Sequence, residues 1–514
     1  MSRVAKATIG LMCATIIAKI FGFTRELVLA SSYGASLYSD AYLIAMNIPL
    51  VIFSIIGAAL GTIFVPMYFD INNKLGKEQS LKFTNNILNI VLVICISLAL
   101  VGFIFTKPLV RLFAIGFNDQ TLEITVKFTK ILILGIVFTG MSYVMTYYLN
   151  VNNNFKVPGL MSLPKNIIII VSIVLSIKYG INILIWGSLL GVASEFLFQL
   201  PFAMKYDYKY TTYINIKDEY IKKSIVLLGP VIIGVCVNQI NSMIDRTLAS
   251  TLTEGSISAL NYANKLNGFV MALFITSIIS VIYPMFSRLS SQNNDKEFKD
   301  AIVKSVNSVI ILVMPISVGA IVLADPIVKL LFQRGEFDSR ATSMTAVALA
   351  MYAIGMVAFG LRDVLGKVFY SLQDTKTPMV NGTIAMSINI LLNFMLIKKF
   401  NHAGLAFATS ISAIICIFLF FYKLYKKIGD FDQDKIINTT IKSIISAVIM
   451  GCITYFVYSL LENILGNGFI NESLALCSSI MIGAVAYGCM IIMLKVEEIN
   501  LIRDMLKKKL KKCN

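Results

Sequence analysis

One histidine and one tryptophan stand among 514 residues, and only 14% of positions are charged. So thin a supply of titratable groups leaves little for general acid–base catalysis, and His402, the one histidine, falls in a short loop. Walker-type phosphate loops, metal-ligand clusters and nucleophile–base pairs are missing too, so the chain reads as no enzyme and as needing no bound cofactor. The eight cysteines include no C-x-x-C pair. Seven of them, Cys13, Cys95, Cys236, Cys416, Cys452, Cys477 and Cys489, lie in apolar stretches, where a free thiol packs as a small hydrophobe. Acids are scarce: 28 Asp and Glu oppose 45 Lys and Arg, a net charge of +17. That excess does not mark a nucleic-acid binder, because the lysines are dispersed over short loops with no compact domain to present a groove-reading element. No cleavable signal peptide is evident. Ala5 to Ala30 is long enough to span, carries Lys19 and Arg25, and runs into another apolar segment, so it is expected to stay attached as the first span.

What is present is apolar. Hydrophobic residues make up 57% of the chain, in runs near twenty residues that recur along its whole length. Windows of that size predict an all-α polytopic membrane protein of about 14 transmembrane helices, beginning near positions 7, 38, 84, 127, 158, 181, 222, 257, 301, 341, 378, 403, 438 and 471. With a cytoplasmic N-terminus the inner loops and tails hold about 28 Lys and Arg against about 10 outside, which predicts both termini in the cytoplasm. Most of the positive excess is thereby topological. The tail 495–514 sets Ile499, Ile502, Leu506 and Leu510 on one face among lysines, the pattern of an interfacial helix on anionic membrane lipid.

Seven cations remain inside the apolar stretches: Lys19, Arg25, Lys165, Arg246, Lys265, Arg362 and Lys367. Each costs roughly 2.5–3.5 kcal/mol at bilayer depth, so together they imply a protein-lined cavity that favours anions.

An internal repeat gives that cavity walls. Arg25-Glu-Leu-Val-Leu-Ala-Ser31, Gly34, Asp40 and Phe64-Val-Pro66-Met-Tyr68 match Arg246-Thr-Leu-Ala-Ser250, Gly255, Asn261 and Ile282-Tyr-Pro284-Met-Phe286. Tyr147-Tyr148 leading to Pro158 is matched with Phe369-Tyr370 leading to Pro378. The reading is two parallel six-helix lobes, 1–220 (spans 1–6) and 221–428 (spans 7–12), followed by two extra helices in 429–494 and the basic tail.

Lys19-Ile-Phe-Gly22-Phe-Thr-Arg25-Glu26, Gly34-Ala35, Ser39-Asp40-Ala41-Tyr42 and Ile48-Pro49 through Phe64-Val-Pro66 resemble the N-terminal signature of the MurJ/MviN lipid II flippases. Gly229-Pro230, Asn238-Gln239, Gly255-Ser256, Tyr262-Ala263-Asn264-Lys265-Leu266, Phe369-Tyr370-Ser371, Gln373-Asp374-Thr375-Lys376-Thr377-Pro378 and His402-Ala403-Gly404-Leu405 look like further blocks of that family. The resemblance implies a member of the multidrug/oligosaccharidyl-lipid/polysaccharide exporter superfamily in the bacterial cytoplasmic membrane. Its implied activity is to move lipid II, an undecaprenyl-pyrophosphate-linked disaccharide-peptide, from inner to outer leaflet by alternating access, in company with cell-wall synthesis proteins. The family often carries an arginine in the second span, where this chain has Leu50 to Ser54, and its usual serine-arginine pair reads Ala18-Lys19. Other readings stay open: a flippase for another polyprenyl-pyrophosphate oligosaccharide, a drug/cation antiporter of the same superfamily, or a membrane scaffold for cell-wall synthesis.

For the substrate pyrophosphate the candidates are Arg25, Lys19, Lys265, Arg246 and Arg362. Arg25 is expected to be free of Glu26, because helix neighbours point about 100° apart, whereas Asp363 and Lys367, four apart, are expected to pair. Lys165 is expected to snorkel, and Arg246 to cover the side where the second span lacks its arginine. Gate candidates are Asp40, Glu26 and Asn261; Asp40 reads equally well as a helix cap. Asp245, Asn389, Asn393 and Thr409 offer oxygens for a coupling sodium ion, or the amides simply bond neighbouring helices. A sodium gradient or the membrane potential would supply the energy.

Overall fold

The computed structural model describes residues 3–221, 239–292, 294–466, 468–496 and 498. The described residues form helices and no strand, as backbone polar groups in a bilayer require. In chain order they are α1 Arg3–Tyr33, α2 Leu37–Leu75, α3 Lys77–Ile104, α4 Thr106–Phe113, α5 Asp119–Leu132, α6 Gly135–Val151, α7 Lys156–Leu160, α8 Ser162–Tyr179, α9 Asn182–Met204 and α10 at 239–249. There follow α11 Ser256–Val270, a π-helical turn Met271–Ile275, α12 Thr276–Ser291, α13 Asp295–Val322, α14 Ala324–Phe332, α15 Ser339–Ile354, α16 Met356–Ser371, α17 Lys376–Ile428, α18 Gln433–Leu465 and α19 Phe469–Met493.

The chain is a multi-pass membrane protein. Among the described residues nine helices are long and apolar enough to cross a bilayer, or up to eleven if each of two bent pairs is one span. The 53-residue α17 would measure about 80 Å, far beyond a ~30 Å hydrocarbon core, so it cannot be one crossing. It is broken at Asn401, where φ is 50° and ψ −134°, between the expected starts near 378 and 403. The expected span near 222 and the blocks at Gly229-Pro230 and Asn238 lie outside the described residues, as does most of the basic tail, so a total of fourteen is not established.

Two compact units emerge: Met1–Ser258 with Arg334–Phe337, and Ala259–Gln333 with Asp338–Asn514. In the first, Phe53, Phe64, Tyr68, Phe83, Val91 and Tyr148 pack one core. In the second, Ile302, Val306, Val313, Leu365, Phe369 and Phe420 pack another. Large apolar side chains such as Leu100 and Ile104 in the first unit and Leu391 and Met395 in the second stay exposed, as helices facing lipid leave them.

The two units repeat one another in detail. Helices α3 and α13 are each 28 residues long and each is followed by a short helix. Asn118 and Asp338 then cap α5 and α15 by accepting the N–H three residues on. The pairs α5–α6 and α15–α16 bend by 42° and 45°. After them Asn153 (φ 59°) and Gln373 (φ 57°) turn the chain left-handed. Asn154 and Asp374 accept from Val157 and Thr377, again three residues on. These turns correct the expected register by two residues: the backbone bonds Asn154 to Leu149 and Asp374 to Phe369, so Tyr147 matches Lys367 rather than Phe369. Aromatic likeness suggested the wrong alignment, and turn geometry fixes the right one.

Candidate functional site

The first unit carries a charged network on three packed helices, α1, α8 and α9. Arg25 reaches Glu26 at 2.6 Å and donates to Asn166 Oδ1 at 3.2 Å. This overturns the expectation that Arg25 is free of Glu26. The long guanidinium side chain folds across the 100° between neighbours, because Glu26, 3% exposed, has to be neutralised where water is excluded. Glu26 faces Arg25 rather than Lys19, which is exposed on the same unbroken helix. Helix α1 runs unbroken through Gly22, where a Cβ would lie at ordinary contact distance, 3.7 Å, from the Asn166 amide. Lys165 is held by Glu195 at 3.2 Å across α8 and α9, so it does not merely snorkel. Tyr42 and Ser188 share a buried hydroxyl bond of 2.9 Å, and Gln199, on α9 with Glu195, bonds Ser142 and Thr146 of α6.

At one end of the same unit Asp40 is fully buried. Its carboxylate accepts from the Gly255 N–H and the Ser258 N–H, each at 2.8 Å, and from the Ser258 hydroxyl at 2.5 Å. Asp40 is thus a cap, but of the start of α11 rather than of its own helix, and its negative charge meets the positive end of that helix dipole. Glu254 returns the contact by accepting the Leu37 N–H at 2.7 Å. Backbone lies against backbone here. A Cβ on Gly255 (φ +86°) would come within 2.4 Å of Ala35 O, and one on Gly34 (φ +60°) within 2.3 Å of Glu336 O. The matched glycines of the repeat are therefore contact points. Arg246, on α10, is half-buried and directs Nη1 toward Leu43 O at 3.5 Å.

In the second unit Arg362 is 47% exposed, lies 3.9 Å from Asp363 and sits over the Phe359 ring. The expected Asp363–Lys367 pair gives way: the Lys367 ammonium rests 5.4 Å from the centres of both the Tyr283 and Tyr370 rings, which attract a cation without a second charge. Lys265 is exposed and Asn261 half-buried on α11. Asn393 donates to Asn389 Oδ1 one turn away on the same helical segment, and Asn389 to Thr409 Oγ1 beyond the break at Asn401, each at 3.3 Å. Asp245 lies half-buried in the first unit. Among the described residues no group of three or more His, Cys, Asp or Glu could hold a metal ion. An apolar cavity of about 540 Å³ opens between α13, α16, α17 and α18, lined by residues such as Met314, Leu361, Ile417, Phe421, Ile437 and Ile441.

Sequence reasoning missed Glu195, whose partner is 30 residues away on another helix, and missed Ser258 and Asn166 for the same reason. It also passed over Asn47 and Asn267, 220 residues apart, each buried with an amide oxygen that has no hydrogen-bond partner. The repeat itself is the signal that would have found that pair.

Comparison with known proteins is consistent throughout. The family "Lipid II flippase MurJ" matches residues 29–476. A probable lipid II flippase MurJ of Buchnera aphidicola subsp. Schizaphis graminum is 31% identical over 83% of this chain and 84% of its own length. The lipid II flippase MurJ of Burkholderia cenocepacia is 26% identical over 80% of this chain and 82% of its own. A solved lipid II flippase MurJ in an inward closed conformation superposes with a TM-score of 0.80 and 26% identity, covering 97% of this chain and all of that one. An inward-facing multidrug resistance transporter of the MATE family shares the fold at a TM-score of 0.66 and 13% identity, over 83% of this chain and 99% of its own.

Proposed function

The chain belongs to the lipid II flippase MurJ family, and from that premise we propose how its residues move the substrate. It is a lipid II flippase. Arg25 is the central pyrophosphate contact, and the observation that carries this reading is its setting: a guanidinium left 19% exposed above a carboxylate only 3% exposed, inside an apolar unit. A charge so costly to bury is retained because its guanidinium fork suits a phosphate. Lys19, Lys265, Arg246 and Arg362 supply further positive charge along the path. Asp40 is the outer latch. Three donors at the start of α11 hold it, and opening that end requires all three to be released. Glu26 and Asn261 belong to the same gating set. The termini face the cytoplasm, as the lysine bias supports. The undecaprenyl chain needs an apolar lining, and the cavity against α18 offers one. Moving the diphosphate's charge couples transport to the membrane potential at about 2.3 kcal/mol per charge per 100 mV, and Asn389, Asn393 and Thr409 of the second unit are the proposed sodium ligands.

The deciding experiment uses proteoliposomes loaded with lipid II. Because Arg25→Ala alone would strand Glu26, the informative variant is Arg25→Ala with Glu26→Gln. Flipping should fall at least about 30-fold, the loss of one charged hydrogen-bonding contact, with protein still folded in the membrane. Undiminished flipping removes Arg25 from the site.

A further inference from the structure

The Lys165–Glu195 pair has a feature that a simple helix clasp would not need. In the two ion pairs of this network the cation is the accessible member and the acid the hidden one: Arg25 and Lys165 are 19% and 24% exposed, Glu26 and Glu195 only 3% and 10%. The two cations also adjoin. Arg25 donates to the side chain of Asn166, the residue next to Lys165 on α8, and Glu195 acts electrostatically on Arg25 as well as touching Lys165.

We propose that Lys165 is a second anion-binding residue of the same site, bracketing the substrate diphosphate together with Arg25, and that Glu195 is its resident counterion. The inference rests on the reading of Arg25 as a pyrophosphate contact. An arriving diphosphate meets the two cations first, with the two carboxylates beneath. At rest the four charges cancel. The diphosphate must therefore take Lys165 from Glu195, and the displaced carboxylate opposes it at close range. That opposition limits affinity and lets the flipped lipid go.

The test is equilibrium binding of undecaprenyl diphosphate to the full chain in nanodiscs, with folding monitored by thermal melt. Lys165→Gln should weaken binding about tenfold or more, and Lys165→Arg should restore it. Glu195→Gln, which breaks the same ion pair, should instead tighten binding several-fold and slow turnover. A clasp without a binding role predicts the same affinity for both neutral variants. Unchanged affinity in folded Lys165→Gln, or unchanged or weaker binding in Glu195→Gln, overturns the proposal. If Lys165→Gln does not fold, the direction of the Glu195→Gln effect decides alone. Arg25→Ala with Glu26→Gln separates the two levels: unchanged binding there removes the underlying reading, whereas weakened binding there with none in Lys165→Gln removes only the role of Lys165.

Discussion

The two units share a backbone plan and differ in what they bury. Lys165, Asn166 and Glu195 of the first correspond, 220 to 221 residues on, to Ala385, Met386 and Cys416 of the second. Asp40, with three donors, corresponds to Asn261. Where the first unit invests in paired charges, the second keeps amide bonds between Asn389, Asn393 and Thr409 and an apolar cavity beneath α18. Repeated helices are a scaffold that tolerates divergence because their core positions need only volume and apolarity. Charges do not diverge so freely, since each needs a partner in place before it can be buried. The Arg25–Glu26 and Lys165–Glu195 pairs therefore stand in one copy without counterparts at the matched positions of the other, which has the apolar cavity instead.

If that division is right, matched substitutions in the two copies should have unequal effects. Asp40→Ala removes the acceptor of three donors and should slow flipping at least tenfold, whereas Asn261→Ala should change it by about twofold; equal effects would break the asymmetry. Filling the cavity with Ile417→Trp should slow lipid II flipping about fivefold while sparing a short-chain analogue, and equal slowing of both would deny the cavity a role with the tail. Replacing Asn389 and Asn393 together by leucine should cost about 1 kcal/mol of thermal stability and abolish any sodium dependence of transport, measured with sodium exchanged for choline. Intact sodium dependence would leave the amides purely structural.

The smallest effect is expected at a loop. Burial pushes the Asp374 carboxyl up, but Lys427 at 2.7 Å and the donors of Thr377 outweigh it and hold the group at about 2. Its stabilising contribution is present above the ordinary carboxylate pKa and disappears as pH falls through about 2. Lys427→Ala should cost at most about 1 kcal/mol at neutral pH and move that loss to higher pH in an acid titration of the melt. An acid transition identical to the parent's would show that Thr377 alone sets the carboxyl.

Much of this was legible in the chain. Thirteen of the fourteen expected helix starts fall on described residues, and each of these lies within a helix or beside its first residue, because lipid imposes length and composition on every crossing. Gly34 and Gly255 stood out as repeat markers, and both prove to sit where a side chain would collide with backbone. Partnership was not legible. Whether Arg25 meets Glu26, or Lys367 meets Asp363 or two tyrosines, depends on side-chain reach and on what a neighbouring helix delivers. Spacing rules for one straight helix contain neither. Glu195 had no reading at all until α8 supplied Lys165.

The two copies also differ in how they interrupt a long helix. Helix α2 runs 39 residues with Pro49 inside it, and the matching stretch from Ser256 to Ser291 has Phe269 there and widens into a π turn at Met271–Ile275 two residues later. A proline is a fixed joint, bound to one residue. A π turn is one residue wound into excess, and it can be passed along the helix like a ruck in a carpet. Were it to travel as far as Pro284, everything between would rotate by about 100°, turning Ile282 out of the core and a different row of side chains in. The first copy carries a fixed proline at that point; the second carries an excess winding whose shift would change the face it shows.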